Sequence, residues 1–295
     1  MKQKFQIPVF LLVCILSLFT IIFVIPMISG ILISFTDWNG LSKEYNLIGI
    51  YNYTKMFQDL RFLDSLNITI VYTFILLSCT LVLGYISAKA IQKLQYFKSF
   101  ALFVSFFPYA ITPVVACILW NQLYIGLIPE IGKLLEIEIL QMNLLSNKET
   151  ALLAVAIVDL WILVPYATLL FSSSLNSIPS DIIECAQVEG ASPLKIALYI
   201  ELPFIFSTIG MLTTMITSYA FTHIDTLMTL TSGGPGRATE TLYYTIYKNS
   251  ILEQRYAYGL AEGLVVSVFS IIVFLVVNKI FTNGKYTSDI TTDVD

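Results

Sequence analysis

The stretch that decides the fold is Ser180-Asp-Ile-Ile-Glu-Cys-Ala-Gln-Val-Glu-Gly-Ala-Ser-Pro-Leu-Lys-Ile-Ala-Leu-Tyr-Ile-Glu-Leu-Pro203, a polar segment between two apolar runs. It reads as two short helices with a hinge. Ser180 is placed to cap the first, with Asp181 in the opening turn, where the helix dipole favours a carboxylate. Gly190 ends that helix, because glycine takes the left-handed conformation at little cost. Ser192-Pro193 restarts the chain as an N-cap followed by proline at the first helical position, and Pro203 marks the next break. Such a unit between membrane spans presents a rigid knob to something outside the bilayer.

These residues carry a resemblance. Glu184-Cys185-Ala186, then Gly190, then Ile200-Glu201-Leu202-Pro203 resembles the EAA loop of ATP-binding-cassette importer permeases. That loop runs Glu-Ala-Ala, three residues, Gly, nine residues, Ile-x-Leu-Pro. The departure is Cys185 where alanine is usual, one small residue for another.

Working outward, the composition is that of a membrane protein: 57% hydrophobic, 12% charged, mean hydropathy +0.79 over 295 residues. The net charge of -4 argues against a nucleic-acid surface. Cys14, Cys79, Cys117 and Cys185 have no C-x-x-C spacing and read as small core residues rather than disulfides or metal ligands. With no glycine-rich linkers, low-complexity tracts or obvious repeats, residues 1–295 read as a single transmembrane domain, which the resemblance implies is a permease domain.

Apolar runs long enough to cross about 30 Å of hydrocarbon fall at about 7–34, 66–90, 100–123, 151–175, 204–227 and 258–281. The first continues past Pro26, which makes it a retained span, open to a kink there, rather than a signal peptide. Ile131 to Leu140 reads as a surface helix. Lys89, Lys93 and Lys98 are read in the short loop after the second span, and no Lys or Arg is read inside a span. That favours a neutral mono- or oligosaccharide over a phosphorylated or acidic one.

Six spans put both termini on one side. With termini inside, Lys2, Lys4, Lys89, Lys93, Lys98, Lys195, Lys279 and Lys285 are inside; Lys43, Lys55, Arg61, Lys133, Lys148, Arg237, Lys248 and Arg255 are outside. The two sets are equal, so orientation rests on the EAA loop, which faces the cytoplasm in the family it resembles.

A second stretch agrees with the first. Leu230-Thr-Ser-Gly-Gly-Pro-Gly-Arg-Ala-Thr-Glu-Thr-Leu242 is on its own a turn-rich loop. As a whole it resembles the Leu-Thr-x-Gly-Gly-Pro stretch after the fifth core helix of carbohydrate-importer permeases, in the half similar to the larger maltose-permease subunit. Ser34-Phe-Thr-Asp-Trp-Asn39 and Asn52-Tyr-Thr-Lys-Met-Phe57 also resemble the segment after the first helix of sugar-importer permeases. The resemblance implies an all-α polytopic membrane protein, with six transmembrane helices, a cytoplasmic EAA coupling-helix loop and the type I ABC importer permease fold. It implies a bacterial plasma (inner) membrane location, multi-pass with cytoplasmic termini.

It further implies partners: a second homologous permease subunit, two cytoplasmic ATP-binding subunits, an extracellular solute-binding protein, a sugar substrate and surrounding membrane lipid. No G-x-x-x-x-G-K-[ST] loop occurs and His223 is the only histidine. ATP and Mg are therefore expected on the partner ATPase subunits, with no cofactor or enzyme activity in this chain. Glu184, Cys185, Ala186, Gly190, Ile200, Leu202 and Pro203 are the expected ATPase-coupling residues, with the Glu184 carboxylate able to pair with a base on the ATPase. A plain solvated helix face is the other reading of Glu184.

Ionisable groups within spans are costly and ordinarily face a cavity or a partner. Asp159, Leu163 and Tyr166 share one face of the fourth span, and Ile216, Tyr219, Ala220 and His223 one face of the fifth. Counted from the EAA loop, these turns resemble those that contact sugar in the larger maltose-permease subunit, at a cavity between the spans flanking the loop. Tyr166 and Tyr219 offer flat faces with hydroxyls, and Asp159 and His223 can hydrogen-bond a sugar. Packing between helices is the competing reading. Asp225 and Glu262 fit solvated interfacial positions as well as functional ones. A secondary active transporter using Asp159 and Glu262 as carriers is the alternative, although repeated halves and broken mid-membrane helices are not seen. A membrane enzyme or receptor leaves both loop motifs unexplained.

Overall fold

The computed structural model describes residues 3–94 and 96–282, so Lys2 and Lys285 of the orientation count lie outside the described residues. Helices dominate; among the described residues no strand forms, and one isolated bridge pairs Thr36 with Leu47. Five helices are long and apolar enough to cross a bilayer: Leu11–Ile33, Leu60–Gln92, Pro113–Leu134, Ala151–Asn176 and Tyr256–Phe281. The helices Pro193–Phe204 and Phe206–Thr222, bent by 71°, make a sixth when taken as one span. Leu16, Phe19 and Phe23 in the first span are all more than half exposed. In water that face would aggregate. In lipid the helix satisfies its own backbone and the acyl chains solvate its side chains.

Ala151–Asn176 is the most buried span; Val155, Val158, Ile162, Leu163 and Phe171 on it belong to the hydrophobic core. The second span approaches it at Gly84, where a Cβ would stand 2.7 Å from that of Ala167. A small residue is required there for the two backbones to come this close.

Three widened turns explain how prolines are carried within the helices. Thr20–Val24, Leu123–Leu127 and Ala197–Glu201 are π-helical, and each stands just before Pro26, Pro129 or Pro203. Proline lacks an N–H and its ring clashes with the carbonyl four residues back. The residue before each proline bonds five back instead: Ile25 to Thr20, Ile128 to Leu123, Leu202 to Ala197. The extra residue opens the turn, and the helix passes through the proline.

Several expected boundaries shift in the structure. The helix continues through Pro203, and the break falls at Ile205 (φ −92, ψ 6). The third span is displaced from 100–123 to Pro113–Leu134. Lys98–Phe106 is a separate helix, followed by a 3₁₀ turn Phe107–Ala110. Thr112 is extended (ψ 142), the conformation that the ring of Pro113 forces on the residue before it. Because residues 98–123 are apolar on both sides of this break, hydropathy alone conceals it. The expected surface helix from Ile131 to Leu140 divides into the end of this span and the short helix Glu138–Gln141. The fifth span ends at Thr222, and Asp225–Leu230 is a separate short helix. Arg61 and Lys89 fall within the second span and Lys279 within the last, all close to helix ends. Of the cysteines, Cys117 is buried, whereas Cys14 and Cys185 are exposed.

The chain forms two compact units, one of residues up to Asp64 with Thr245–Val268, the other Ser65–Tyr244 with the segment from Phe269 onward. In the first, buried Asn52 donates to the carbonyls of Ser34 (2.8 Å) and Thr36 (2.9 Å), fixing the turn after the first span. Trp38 packs edge-on against Tyr256, and the Ala257 N–H bonds the Trp38 carbonyl. Glu262 is fully buried there, both carboxylate oxygens accepting from Asn249 Nδ2 (2.8 and 2.9 Å). The second unit contains the candidate sites.

Candidate functional site

Ser180–Val188 forms the first helix of the loop, with Glu184 and Cys185 exposed and Ile183 and Ala186 half-buried beneath it. Pro179, rather than Ser180, takes the N-cap position; Ser180 stands in the first turn and its hydroxyl lies 3.3 Å from Asp181 Oδ1. Proline's fixed φ, −58 here, already sets the entry angle of the helix. Gly190 has φ +79, and two bonds close the end: Ala191 N–H to Ala186 O (2.9 Å) and Gly190 N–H to Gln187 O (3.0 Å). This is the Schellman arrangement that a left-handed glycine makes possible. Ser192 then caps the next helix, accepting from the Lys195 N–H (3.4 Å). Val188 next to the hinge, and Leu194 and Tyr199 on the helix after it, are 89, 68 and 78% exposed. Exposed apolar side chains of this size are surface that water covers poorly. Ile200 is half-buried against the core, Leu202 is exposed and Pro203 half-buried.

Deeper in the same unit, Asp159 is fully buried and gathers three helices around the fourth span. Tyr72 of the second span donates to Oδ2, as does Thr226 (2.9 Å), and Tyr219 of the fifth span donates to Oδ1 (2.8 Å). A carboxylate taken out of water needs such donors. His223 stacks on Tyr219, and its Nε2 stands 3.9 Å from Asp159 Oδ1 with no hydrogen-bond partner.

Of the residues expected to contact sugar, Asp159, Tyr219 and His223 come together in this cluster. Leu163 and Ala220 are buried in the core, and Tyr166 stacks on Tyr109 (centroids 4.9 Å apart). A cavity of about 640 Å³ lies between the fifth and last spans, lined among others by Ser207, Gly210, Thr214, Ser218 and Asn278. None of the six expected residues is among those that line it. Tyr72 and Thr226 went unrecognised in the sequence. The usable signal was the carboxylate itself, which requires hydroxyl or cationic donors from other helices.

Membrane-spanning helices, a buried polar cluster joining them, and an exposed helix–glycine–helix between the fourth and fifth define the permease subunit of an importer with the type I ABC importer permease fold. The chain belongs to the family of binding-protein-dependent transport system inner membrane components, whose model matches residues 80–281. It is 31% identical to the multiple sugar-binding transport system permease protein MsmF of Streptococcus mutans, over 92% of this chain and 93% of that protein. It is 30% identical to the diacetylchitobiose uptake system permease protein NgcF of Streptomyces coelicolor, over 92% of this chain and 81% of that one. In fold it is similar to a chain of a bacterial ABC transporter involved in the import of the acidic polysaccharide alginate, with TM-score 0.81, 18% identity, and coverage of 96% and 97%. Membership of this family leaves the secondary-transporter alternative without support.

Proposed function

We infer that the chain is one half of the translocation path of an ATP-driven carbohydrate importer. The exposed helix Ser180–Val188 with its Gly190 hinge carries this reading, together with relatives whose names specify sugar and diacetylchitobiose uptake. On this reading Glu184, Cys185, Ala186 and Gly190 dock into a cytoplasmic ATPase, while Ile200, Leu202 and Pro203 join the knob to the fifth span. The termini then face the cytoplasm. A second permease, two ATPases that hold ATP and Mg, and an extracellular solute-binding protein complete the machine.

Within the path, the half-buried rings of Tyr219, His223 and Tyr166 supply stacking faces, and the spare His223 Nε2 supplies a hydrogen bond for a sugar hydroxyl. Asp159 holds this surface in place from behind, with Leu163 and Ala220 as its packed floor. The test is uptake of labelled mono- and oligosaccharides by proteoliposomes containing both permeases and both ATPases, with the solute-binding protein outside. ATP-dependent accumulation of a sugar supports the reading; accumulation of only non-carbohydrate solutes overturns it.

A further inference from the structure

The coupling loop is exposed at one end and sealed at the other. Glu201 is 2% exposed, and both its oxygens are engaged: Oε1 by Lys89 Nζ at 2.5 Å, Oε2 by the Tyr85 hydroxyl at 2.5 Å. Lys89 and Tyr85 lie one turn apart on the second span. The π turn Ala197–Glu201 aims the carboxylate: one extra residue rotates the chain by about 100°. Glu201 thereby points inward, between the exposed side chains of Tyr199 and Leu202. Tyr85 is held in turn by its edge-on contact with Phe171 of the fourth span (centroids 6.1 Å, 89°).

Stability alone is a weak reason for this arrangement, since buried ion pairs are often replaceable by apolar residues without loss. Its position gives a better one. The loop is covalently continuous with the fourth and fifth spans but reaches the second only through side chains. A two-point, charge-assisted joint is stiff in a way that apolar packing is not. The same second span carries Tyr72, which bonds Asp159, thirteen residues or about 20 Å from Tyr85 along the helix.

We propose that Glu201, with Lys89 and Tyr85, is a positioning site that passes movement of the coupling loop to the second span, and through it to the Asp159 cluster. The inference rests on the coupling role given to the loop above. Displacement of the docked knob moves Glu201, and the rigid second span carries that displacement to Tyr72. Without the joint, ATP-driven motion still reaches the fourth and fifth spans, but the second no longer follows.

The experiment uses the complete reconstituted transporter and measures three quantities: ATPase co-purification, basal ATP hydrolysis, and sugar accumulated per ATP hydrolysed. Glu201→Gln and Lys89→Met are expected to retain the ATPases and basal hydrolysis, while sugar per ATP falls about tenfold, within the usual range of coupling between sites. The charge-swapped pair Glu201→Lys with Lys89→Glu is expected to recover part of that loss. Unchanged sugar per ATP in both single variants overturns the proposal. Equal loss of assembly in the single and swapped variants also overturns it, since the joint would then be structural only. Failure of the underlying coupling reading is separately visible: Gly190→Val and Glu184→Lys would retain bound ATPases and normal sugar per ATP, whatever Glu201 does.

Discussion

The imidazole of His223 lies flat on the ring of Tyr219, centroids 4.1 Å apart and planes 17° from parallel. At the far end of that ring the hydroxyl donates to Asp159 Oδ1 at 2.8 Å. One side chain therefore fixes the histidine by its face and answers the buried carboxylate by its tip. Tyr219→Phe keeps the face and deletes the tip, at a cost of about 1 kcal/mol. Tyr219→Ala removes both and frees the imidazole. Sugar uptake is expected to fall modestly in the first and steeply in the second, with assembly intact. Equal uptake in both variants and the native protein would remove Tyr219 from the path.

Asp159 itself tests whether the cluster acts by charge or by shape. Asp159→Asn keeps the side chain's size, and the three hydroxyls can rotate to meet an amide. Asp159→Leu leaves the hydroxyls of Tyr72, Tyr219 and Thr226 without their acceptor, each worth about 1–3 kcal/mol when buried and unsatisfied. Thermal unfolding in detergent is expected to show the asparagine variant near native and the leucine variant markedly less stable. A leucine variant as stable as the native protein would contradict the hydrogen-bond assignment.

The helix–glycine–helix was legible in the sequence because its punctuation is local: Gly190 at φ +79 and Ser192 before Pro193 behave as residue types dictate. Most span positions were legible for the same reason, since a run of apolar residues needs no partner to be recognised. What stayed hidden depends on residues distant in sequence. Asp159 announced a need for donors without naming Tyr72, 87 residues away. Lys89 read as a loop charge because the carboxylate that holds it, Glu201, lies 112 residues on. The third span was misplaced because Pro108 and Pro113 break a stretch that is apolar on both sides.

Gly190 is constrained by its backbone alone, since a Cβ there would meet nothing within 4 Å. A left-handed conformation costs a non-glycine residue roughly 1–2 kcal/mol, more when it is β-branched. Gly190→Val is therefore expected to distort the hinge without affecting membrane insertion. ATPase co-purification is expected to fall while the yield of the permease pair holds. Full retention of the ATPases would show that the hinge tolerates the strain or plays no part in docking.

Gly84 presents the opposite case: its backbone is ordinary helix, and space is what it lacks. A Cβ would stand 2.7 Å from that of Ala167, so Gly84→Ala must push the second and fourth spans apart, at about 1–3 kcal/mol. Gly263, also helical, has nothing within 4 Å of the same position. There alanine should stabilise by about 0.5–1 kcal/mol through helix propensity. Unfolding temperatures are thus expected to move in opposite directions for these two chemically identical substitutions. A shift of the same sign in both would mean that the Gly84–Ala167 contact does not form.

Glu253 supplies a pH test outside the spans. The Arg61 guanidinium bonds its Oε1 at 2.6 Å and, with Arg255 and Lys248 nearby, holds its carboxyl below the ordinary value of 4.5. A lowered folded-state value means that the ionised form is favoured on folding. The stabilisation is therefore complete above the unfolded-state value and is lost as pH falls through the folded-state one. The pair is partly exposed, with side-chain exposures of 18% and 34%, so the contribution is about 1 kcal/mol or less once solvent screening is allowed for. Glu253→Gln is expected to unfold at a slightly lower temperature than the native chain at neutral pH, with the gap closing below about pH 4 and shrinking in high salt. A gap that persists unchanged in acid would assign the stability to packing around Glu253 rather than to its charge.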